Sequence, residues 1–250
     1  MLKTFALLFV AAAVSRGLAE DADDFQKLSG DERVARARAT HGKIIAKKFQ
    51  DAGLPYPARE LFLRWFKREA VVELWAREDG GPFRLIATYA ILATSGGPGP
   101  KRRAGDRQVP EGFYEIDRFN PASLFHLSLG LNYPNAADRI LSDHNRPGGD
   151  IFIHGKNVSI GCAPIGDASI EQLYLAALDT RARGQARIPV HIFPARMRGA
   201  EWTAFAAEHP ALVPLWEQLQ PAYAAFERDH RVPACTVAPD GRYRVVPAHL

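Results

Sequence analysis

The chain has 250 residues, and 47% of them are hydrophobic, which is enough for a substantial core in one main domain with extensions. Its formal net charge at pH 7 is only +4. Proteins that bind nucleic-acid phosphates usually carry a concentrated basic face, so we expect no nucleic-acid partner.

Residues 1–19 have the order of a secretory signal peptide. Lys3 supplies a positive charge, an apolar run follows over 5–14, and residues 17–19 form a small-x-small ending. The apolar run is shorter than the ~20 residues that a membrane-spanning helix needs. We predict cleavage after Ala19 and a mature protein in the periplasm, and an uncleaved N-terminal anchor is the alternative.

The next segment, 20–58, is charged and prone to form a helix. Residues 31–38 are rich in helix formers, and Gly53, Pro55 and Pro57 end the segment. We therefore predict a helical segment that precedes the main domain.

From residue 61 the pattern becomes that of strands. Alternation over 61–65 and the apolar run 71–75 predict two strands, and a turn at 79–82 leads into a third over 83–89. A long Gly/Pro loop follows over 95–112. Loops of this length in a compact domain are often functional, although a solvated connector fits the composition equally well.

Further strands and one helix are predicted in the second half. Residues 124–131 and 151–153 are apolar runs of the strand type, and 188–193 is a final core strand. Between them, Asp167 is a candidate N-cap of a helix that Gly184 ends.

Beyond residue 195, large apolar residues predict two packed helices before a short hairpin around Pro239, Asp240 and Gly241. The predicted organisation is a signal peptide (1–19), a helical segment (20–58), a catalytic domain (59–195) and a C-terminal helical extension with a short hairpin (196–250).

The segment 153–164 contains the residues that indicate chemistry. A thiol is a nucleophile only as thiolate, and a nearby imidazole is the usual means of forming one. His154 follows an apolar run, and a loop leading to Cys162 is long enough to fold back on it. We expect Gly155 to let the backbone turn at the histidine and Gly161 to keep bulk away from the sulfur.

The backbone N–H groups of Gly161 and Cys162 are expected to face a developing oxyanion, helped by the positive end of the following helix. Ser159 would either donate a hydrogen bond to the site or close the turn. On spacing alone, a core histidine and a structural cysteine fit equally well.

Two other interpretations concern the cysteines. In an oxidising compartment, the count of two leaves a Cys162–Cys235 disulfide and two free thiols about equally open. Cys235 lacks glycine-rich surroundings, and we interpret it as structural or incidental.

A zinc site would draw on nearby ligands, but the closely spaced ligand pairs that are typical of structural zinc sites are missing, so we expect no metal and no cofactor. The candidate zinc ligands are His144, His154 and Cys162 with Asp143 or Asp150.

The motif formed by His154-Gly155 and residues 159–162 resembles the active-site signature of the L,D-transpeptidase (YkuD-type) catalytic domain family, and more narrowly its YafK-like branch. The resemblance covers roughly residues 55–195. Further motifs appear in the order of that branch, at 95–101, 105–114, 120–121, 133–135, 138–139 and 170–174. The wider family has an arginine shortly after the cysteine that helps bind a substrate carboxylate, whereas here, as in the branch, the next arginine is Arg181.

The resemblance implies a mainly β or α+β fold, with an L,D-transpeptidase-type β-sandwich core and helical N- and C-terminal extensions. It implies that Cys162 attacks the diaminopimelate carbonyl of a peptidoglycan stem peptide and that His154 is the general acid and base, its second nitrogen held by a backbone carbonyl. The catalytic candidates are Cys162, His154, Ser159 and Gly161, and the substrate-binding candidates are Lys101, Tyr133, Asn135 and Gly155.

The acceptor of the acyl group stays open. Transfer to an amine would cross-link stem peptides or attach a protein to the wall, and we favour it because it is the commoner activity of the family. Hydrolysis, which would release a wall-bound outer-membrane protein or lipoprotein, is the alternative. A non-catalytic wall-binding protein is a third hypothesis, and it would require a broken site.

Overall fold

The computed structural model describes residues 26–246, so the predicted signal peptide lies outside the described residues. After helical residues 26–29, five helices follow in the described chain. They are α1 (Glu32–Asp51), α2 (Ala136–Leu141), α3 (Asp167–Ala182), α4 (Gly199–Glu208) and α5 (Val213–Asp229), with a 3-10 turn at Pro210–Leu212 before α5. None of the described helices has the length and apolar character needed to cross a membrane.

The strands are short, and most were predicted from their apolar patterns. They are β1 (Glu60–Phe66), β2 (Val71–Arg77), β3 (Arg84–Ala90), β4 (Gly112–Asn120), β5 (Ser128–Leu131), β6 (Phe152–His154), β7 (Ala163–Pro164), β8 (Ile188–Phe193), β9 (Ala234–Val237) and β10 (Tyr243–Val246).

Strands β1–β8 form one curled sheet in the order β3-β2-β1-β8-β4-β5-β6-β7, and β9 and β10 form a separate hairpin. The pairs β1–β8 and β6–β7 are parallel, and the other pairs are antiparallel. The predicted α+β class with helical segments at both ends is confirmed.

Helices cover both faces of the sheet, which explains why β1 is buried along nearly its whole length. Leu61, Leu63 and Trp65 share one apolar cluster with α1 and α3. On the opposite face, Phe62 and Phe66 pack into two clusters that include residues of α5.

Helix α1 begins where the sequence provides an N-cap. The Asp31 carboxylate accepts hydrogen bonds from the N–H groups of Arg33 and Val34, and Glu32 places a negative charge in the first turn. The predicted N-terminal helix is therefore present, and its apolar side is buried against the domain.

A buried charge network joins the sheet to the C-terminal helix α5. Arg64, on β1, donates from Nε to Glu73 at 2.9 Å and from Nη1 to Glu227 of α5 at 2.6 Å. Its guanidinium also lies over the rings of Trp75 and Phe226. Removing one partner would leave an uncompensated buried charge, so this network fixes α5 on the sheet.

Two predicted boundaries were wrong. The strand predicted over 124–131 begins only at Ser128, because Leu124 is 90% exposed and His126 has a positive φ of 76°. The predicted loop 95–112 ends one residue late, because Gly112 already belongs to β4, and β4, which continues to Asn120, was not predicted.

Candidate active site

The register of β6 and β7 places His154 and Cys162 on one face. Ile153 pairs with Ala163 and His154 pairs with Pro164, so Cys162 lies level with Phe152. Because alternate residues of a strand point to the same side, Cys162 and His154 face the same groove. Both line a cavity of about 440 Å³, which we call the histidine-side cavity.

The imidazole of His154 is buried, and its tautomer follows from one contact. Nδ1 lies 2.6 Å from the carbonyl oxygen of Gly155, which can only accept, so Nδ1 carries the proton. Nε2 therefore has a free lone pair. Burial lowers the pKa of His154, and the hydrogen bond to Gly155 opposes this only in part. The ring is consequently a neutral base, oriented by a backbone carbonyl as the resemblance implies.

The thiol of Cys162 is also neutral at rest. Burial raises its pKa and the Asp150 carboxylate adds to this, whereas the N–H of Phe152 and the charge of Lys101 oppose it. Sγ donates to the carbonyl oxygen of Asp150 at 3.5 Å. No direct hydrogen bond joins the thiol and the imidazole, although both side chains lie within the described chain. The site therefore holds a thiol and an imidazole, not a preformed thiolate–imidazolium pair.

Ser159 closes the turn before the thiol. Its Oγ accepts from the N–H groups of Gly161 at 3.2 Å and Cys162 at 3.1 Å, and it donates to the carbonyl of Cys162 at 2.8 Å. The two N–H groups predicted to face an oxyanion are thus directed at Ser159. That prediction was wrong for this arrangement, because a hydroxyl inside the turn already accepts from both donors.

We expect Ser159→Ala to loosen this turn. Three hydrogen bonds in a half-buried loop would be lost, a cost of about 1–3 kcal/mol in the free energy of unfolding. Alkylation of Cys162 by iodoacetamide, followed by intact mass, should become faster because the thiol is less confined. Thermal unfolding of Ser169→Ala, an exchange in α3 outside the cavities that Cys162 lines, serves as control. An unchanged alkylation rate in Ser159→Ala would contradict the role in the turn.

The glycines of the motif are needed for space as much as for conformation. Gly155 does not have a positive φ, and the turn falls instead at Lys156, whose φ is 58°. A Cβ on Gly155 would lie 2.5 Å from the Asp167 carboxylate and 2.8 Å from the carbonyl of Phe125. Gly161 has a φ of 131°, and its Cβ would meet the Gln108 carbonyl at 3.0 Å. The expectation that Gly155 makes the turn was therefore wrong.

Asp167 also differs from its prediction. Helix α3 begins at Asp167, but its N-cap is Gly166, and no side chain caps it. The Asp167 carboxylate accepts instead from the N–H of Lys156 at 2.8 Å. It thereby ties the start of α3 to the turn that follows His154.

A second cavity, of about 220 Å³, lies against the other side of Cys162. Residues 93–98, at the start of the Gly/Pro loop and just before it, form one wall. Lys67 and Arg68 contribute from the turn after β1, and Phe205 contributes from α4. We call this the arginine-side cavity. The loop predicted to be either functional or a connector therefore borders the thiol.

The loop is anchored by a buried ion pair. Lys67 Nζ donates to the Glu111 carboxylate at 2.8 Å and to the carbonyl of Gly99 at 2.6 Å. The other oxygen of Glu111 accepts from Trp216 Nε1, on α5, at 2.8 Å. Sheet, loop and C-terminal helix are thus fixed together beside the cavity.

The predicted substrate-binding residues do not line the groove. The Lys101 ammonium is buried against Asp106 at 2.7 Å. Tyr133 donates to the carbonyl of Pro147 at 3.0 Å, and Asn135 caps α2. Gly155 is buried. None of these four lines either cavity at Cys162, so we now interpret them as supporting residues.

Arg68 and Phe205 were not singled out in the sequence. Arg68 lies among many charged residues, and Phe205 belongs to the predicted C-terminal extension, so neither carries a local signal. Folding of α4 onto the sheet brings Phe205 to the cavity that Cys162 lines, and the turn after β1 brings Arg68 there.

Cys162 and Cys235 are free thiols, so the structure has no disulfide between them. Burial raises the pKa of Cys235 to about 12. Within residues 26–246, no group of three or more His, Cys, Asp or Glu side chains is placed to hold a metal ion.

Comparison with known proteins gives consistent matches. A family model of the L,D-transpeptidase catalytic domain, YkuD, matches residues 69–192. A protein of Escherichia coli strain K12 named "Putative L,D-transpeptidase YafK" is 34% identical over 203 residues, covering 80% of this chain and 78% of the relative. The protein of that name from Escherichia coli O157:H7 is equally similar.

Two solved structures are more distantly similar. The helical cell shape determining protein Pgp2 from Campylobacter jejuni has 17% identity and a TM-score of 0.44, and the match covers 72% of this chain and 73% of that chain. Bd1075 from Bdellovibrio bacteriovorus has 19% identity and a TM-score of 0.38, and the match covers 67% and 60% of the two chains.

Proposed function

The chain belongs to the L,D-transpeptidase (YkuD) catalytic domain family, and we propose that it is a cysteine acyl-transfer enzyme of the periplasm that acts on peptidoglycan stem peptides. The observation that carries this proposal is the position of Cys162. Its thiol lies between two cavities, and the neutral imidazole of His154 faces only one of them.

In the proposed reaction, Nε2 of His154 takes the thiol proton as the sulfur attacks the diaminopimelate carbonyl carbon. The C–N bond of the scissile amide breaks, the imidazolium returns the proton to the leaving amine, and a thioester to Cys162 is left. An acceptor amine then loses a proton to Nε2 and attacks the thioester, and the departing sulfur recovers the proton. Water in place of the amine gives hydrolysis.

The proposed proton transfers imply which part of the substrate occupies each cavity. His154 protonates the leaving amine and deprotonates the acceptor, so both must lie on its side, in the histidine-side cavity. The acylating stem peptide then extends the other way, into the arginine-side cavity. Stem peptides carry free carboxylates, and Arg68 is an exposed cation in that cavity. Its contacts are the carbonyl of Glu201 and the ring of Phe205, with no carboxylate partner in the described chain.

We therefore expect Arg68→Ala to weaken binding of the donor stem peptide. Loss of one charge-assisted hydrogen bond should raise KM roughly 10-fold and leave kcat within about 2-fold. Initial rates with a soluble diaminopimelate-containing muropeptide measure both constants. The matched control is Arg244→Ala, an exposed arginine of the C-terminal hairpin. An Arg68→Ala enzyme with the KM of the unaltered protein would overturn the assignment.

A second candidate function is favoured by the apolar mouth of the histidine-side cavity. Leu124, Val158 and Ile160 line this cavity while being 90%, 52% and 76% exposed. A charged stem peptide gains little from such a surface, whereas an apolar segment of a protein would bury it. This supports a protein as acceptor or leaving group, in wall attachment or in release of a wall-bound protein.

Digestion of treated walls followed by mass spectrometry separates these activities. New diaminopimelate cross-links would indicate transfer between stems, and stem peptides newly joined to a protein would indicate attachment. Release of protein from walls that already carry it would indicate hydrolysis. If none of these products forms and no thioester is detected, the proposed catalysis is refuted, as the hypothesis of a non-catalytic wall-binding protein requires.

A further inference from the structure

One short segment covers the imidazole. Residues 121–127, which we call the cover loop, join β4 to β5, and Ser123, Leu124 and Phe125 line the histidine-side cavity. The ring of Phe125 lies 4.7 Å from the ring of His154, at an interplanar angle of 35°. The position of the cover loop therefore determines how much water reaches the proposed base.

The tip of the cover loop, Leu124 and Phe125, is exposed, although Leu127 at its end is fully buried. Leu124 is 90% exposed, and His126 has left-handed backbone geometry, with a φ of 76°. A residue other than glycine is strained in this conformation, which persists only where the surroundings impose it. Contacts from outside the loop must therefore hold it in place.

The N-terminal helix α1 supplies these contacts through Arg33. Arg33 Nη1 donates to the carbonyls of Pro121 at 2.9 Å and Ser123 at 2.8 Å, and it also contacts the carbonyl of His126. Three carbonyls of one loop thus converge on one half-buried guanidinium. Such charge-assisted hydrogen bonds are roughly twice as strong as neutral ones.

A carboxylate of α3 holds the same loop from the side. One oxygen of Glu171 contacts Nε2 of His126 at 2.6 Å, and the other contacts Nδ1 of His41, on α1, at 2.5 Å. All three side chains are largely buried. Helix α1 therefore reaches the cover loop twice, directly through Arg33 and through the His41–Glu171–His126 chain.

Space beneath the loop is also closed. A Cβ on Gly155, the residue after the proposed base, would lie 2.8 Å from the carbonyl of Phe125 and 3.0 Å from the Cβ of His126. The cover loop thus cannot move inward, and only outward movement is open to it. Arg33 opposes that movement.

We propose that Arg33 is a positioning residue that holds Phe125 against His154, so that the N-terminal helix is part of the catalytic apparatus. This rests on the proposed function of Cys162 and His154. Without Arg33, the cover loop swings outward, water reaches the imidazole and the ring loses its fixed orientation. Helix α1, in the segment predicted to precede the domain, then determines whether the imidazole of His154 is shielded from water.

The test is Arg33→Ala, with Arg36→Ala as matched control. Arg36 lies one turn along the same helix, is exposed, and pairs only with Glu32 in the described chain. NMR titration of the His154 ring, assigned with His154→Gln, is the first readout. Because burial lowers the pKa of His154, opening the loop should raise that pKa toward its ordinary value. We expect this rise in Arg33→Ala and not in Arg36→Ala.

The second readout is kinetic. Misplacement of the base should lower kcat roughly 10- to 100-fold in Arg33→Ala with KM nearly unchanged, and Arg33→Lys should recover part of the loss. Because the titration needs no substrate, it tests the positioning role even if the proposed function fails. An unchanged titration of His154 in folded Arg33→Ala would overturn the proposal. If Arg33→Ala does not fold, Phe125→Ala, which leaves α1 intact, must show the same rise, and its absence would also overturn it.

Discussion

Cys162→Ala is expected to abolish formation of the acyl-enzyme and of every product derived from it, a loss of more than about 10⁴-fold in kcat/KM. The reason is chemical, because alanine offers no atom that can form a thioester. The substitution should leave the fold intact. The Cys162 thiol makes one long contact, to the carbonyl of Asp150, and truncating it removes little buried surface from a residue that borders two cavities.

The measurement is the intact mass of the mature protein after incubation with a carbapenem, an acylating β-lactam, combined with analysis of muropeptide products. Cys235→Ser is the matched control, since Cys235 lies on β9 and lines neither cavity at Cys162. We expect one covalent adduct in the unaltered protein and in Cys235→Ser, and none in Cys162→Ala. An adduct that persists in Cys162→Ala, or that disappears in Cys235→Ser, would refute the assignment of the nucleophile.

Local signals alone predicted His154 and Cys162 as the centre of the candidate site. His154 and Cys162 are close in sequence, a glycine stands next to each, and an apolar run marks β6. All of these signals lie within one short segment of the sequence. The parallel pairing of β6 with β7 then places both side chains on one face.

The walls of the site could not be predicted in this way. Phe205 lines the arginine-side cavity only because α4 folds back onto the sheet, Arg68 enters this cavity from the turn after β1, and the contacts of Arg33 depend on packing of α1. These are contacts between distant segments, and no periodicity within one segment reports them.

Hydrophobicity also misled one prediction. Leu124 and Phe125 are apolar and suggested a strand, yet they line an open cavity instead of filling a core. An apolar run in the sequence indicates a preference for burial, and residues that line a binding groove show the same pattern as residues of a core strand. Strand β4 was not predicted, and it begins at the last residue of the glycine-rich loop.

His154→Gln carries the second large expectation, a loss of roughly 10²- to 10⁴-fold in acylation near neutral pH. Glutamine preserves much of the volume and can still donate to the carbonyl of Gly155, but its amide cannot accept the thiol proton as a base. The loss should depend strongly on pH. Burial raises the pKa of Cys162 above the ordinary thiol range, so without a base the thiolate forms only in alkaline solution.

The two proteins should therefore differ in the shape of their pH profiles. In the unaltered enzyme, the lowered pKa of His154 keeps the imidazole neutral through neutral pH, so acylation should level off once the pH exceeds that pKa. In His154→Gln, the rate should keep rising about tenfold per pH unit up to the thiol pKa, which narrows the gap between the two enzymes. Carbapenem acylation rates across this range, in a Cys235→Ser background, give both curves. A constant ratio of the two rates at all pH values would show that His154 has only a structural role, because the loss of rate from a missing packing contact does not depend on pH.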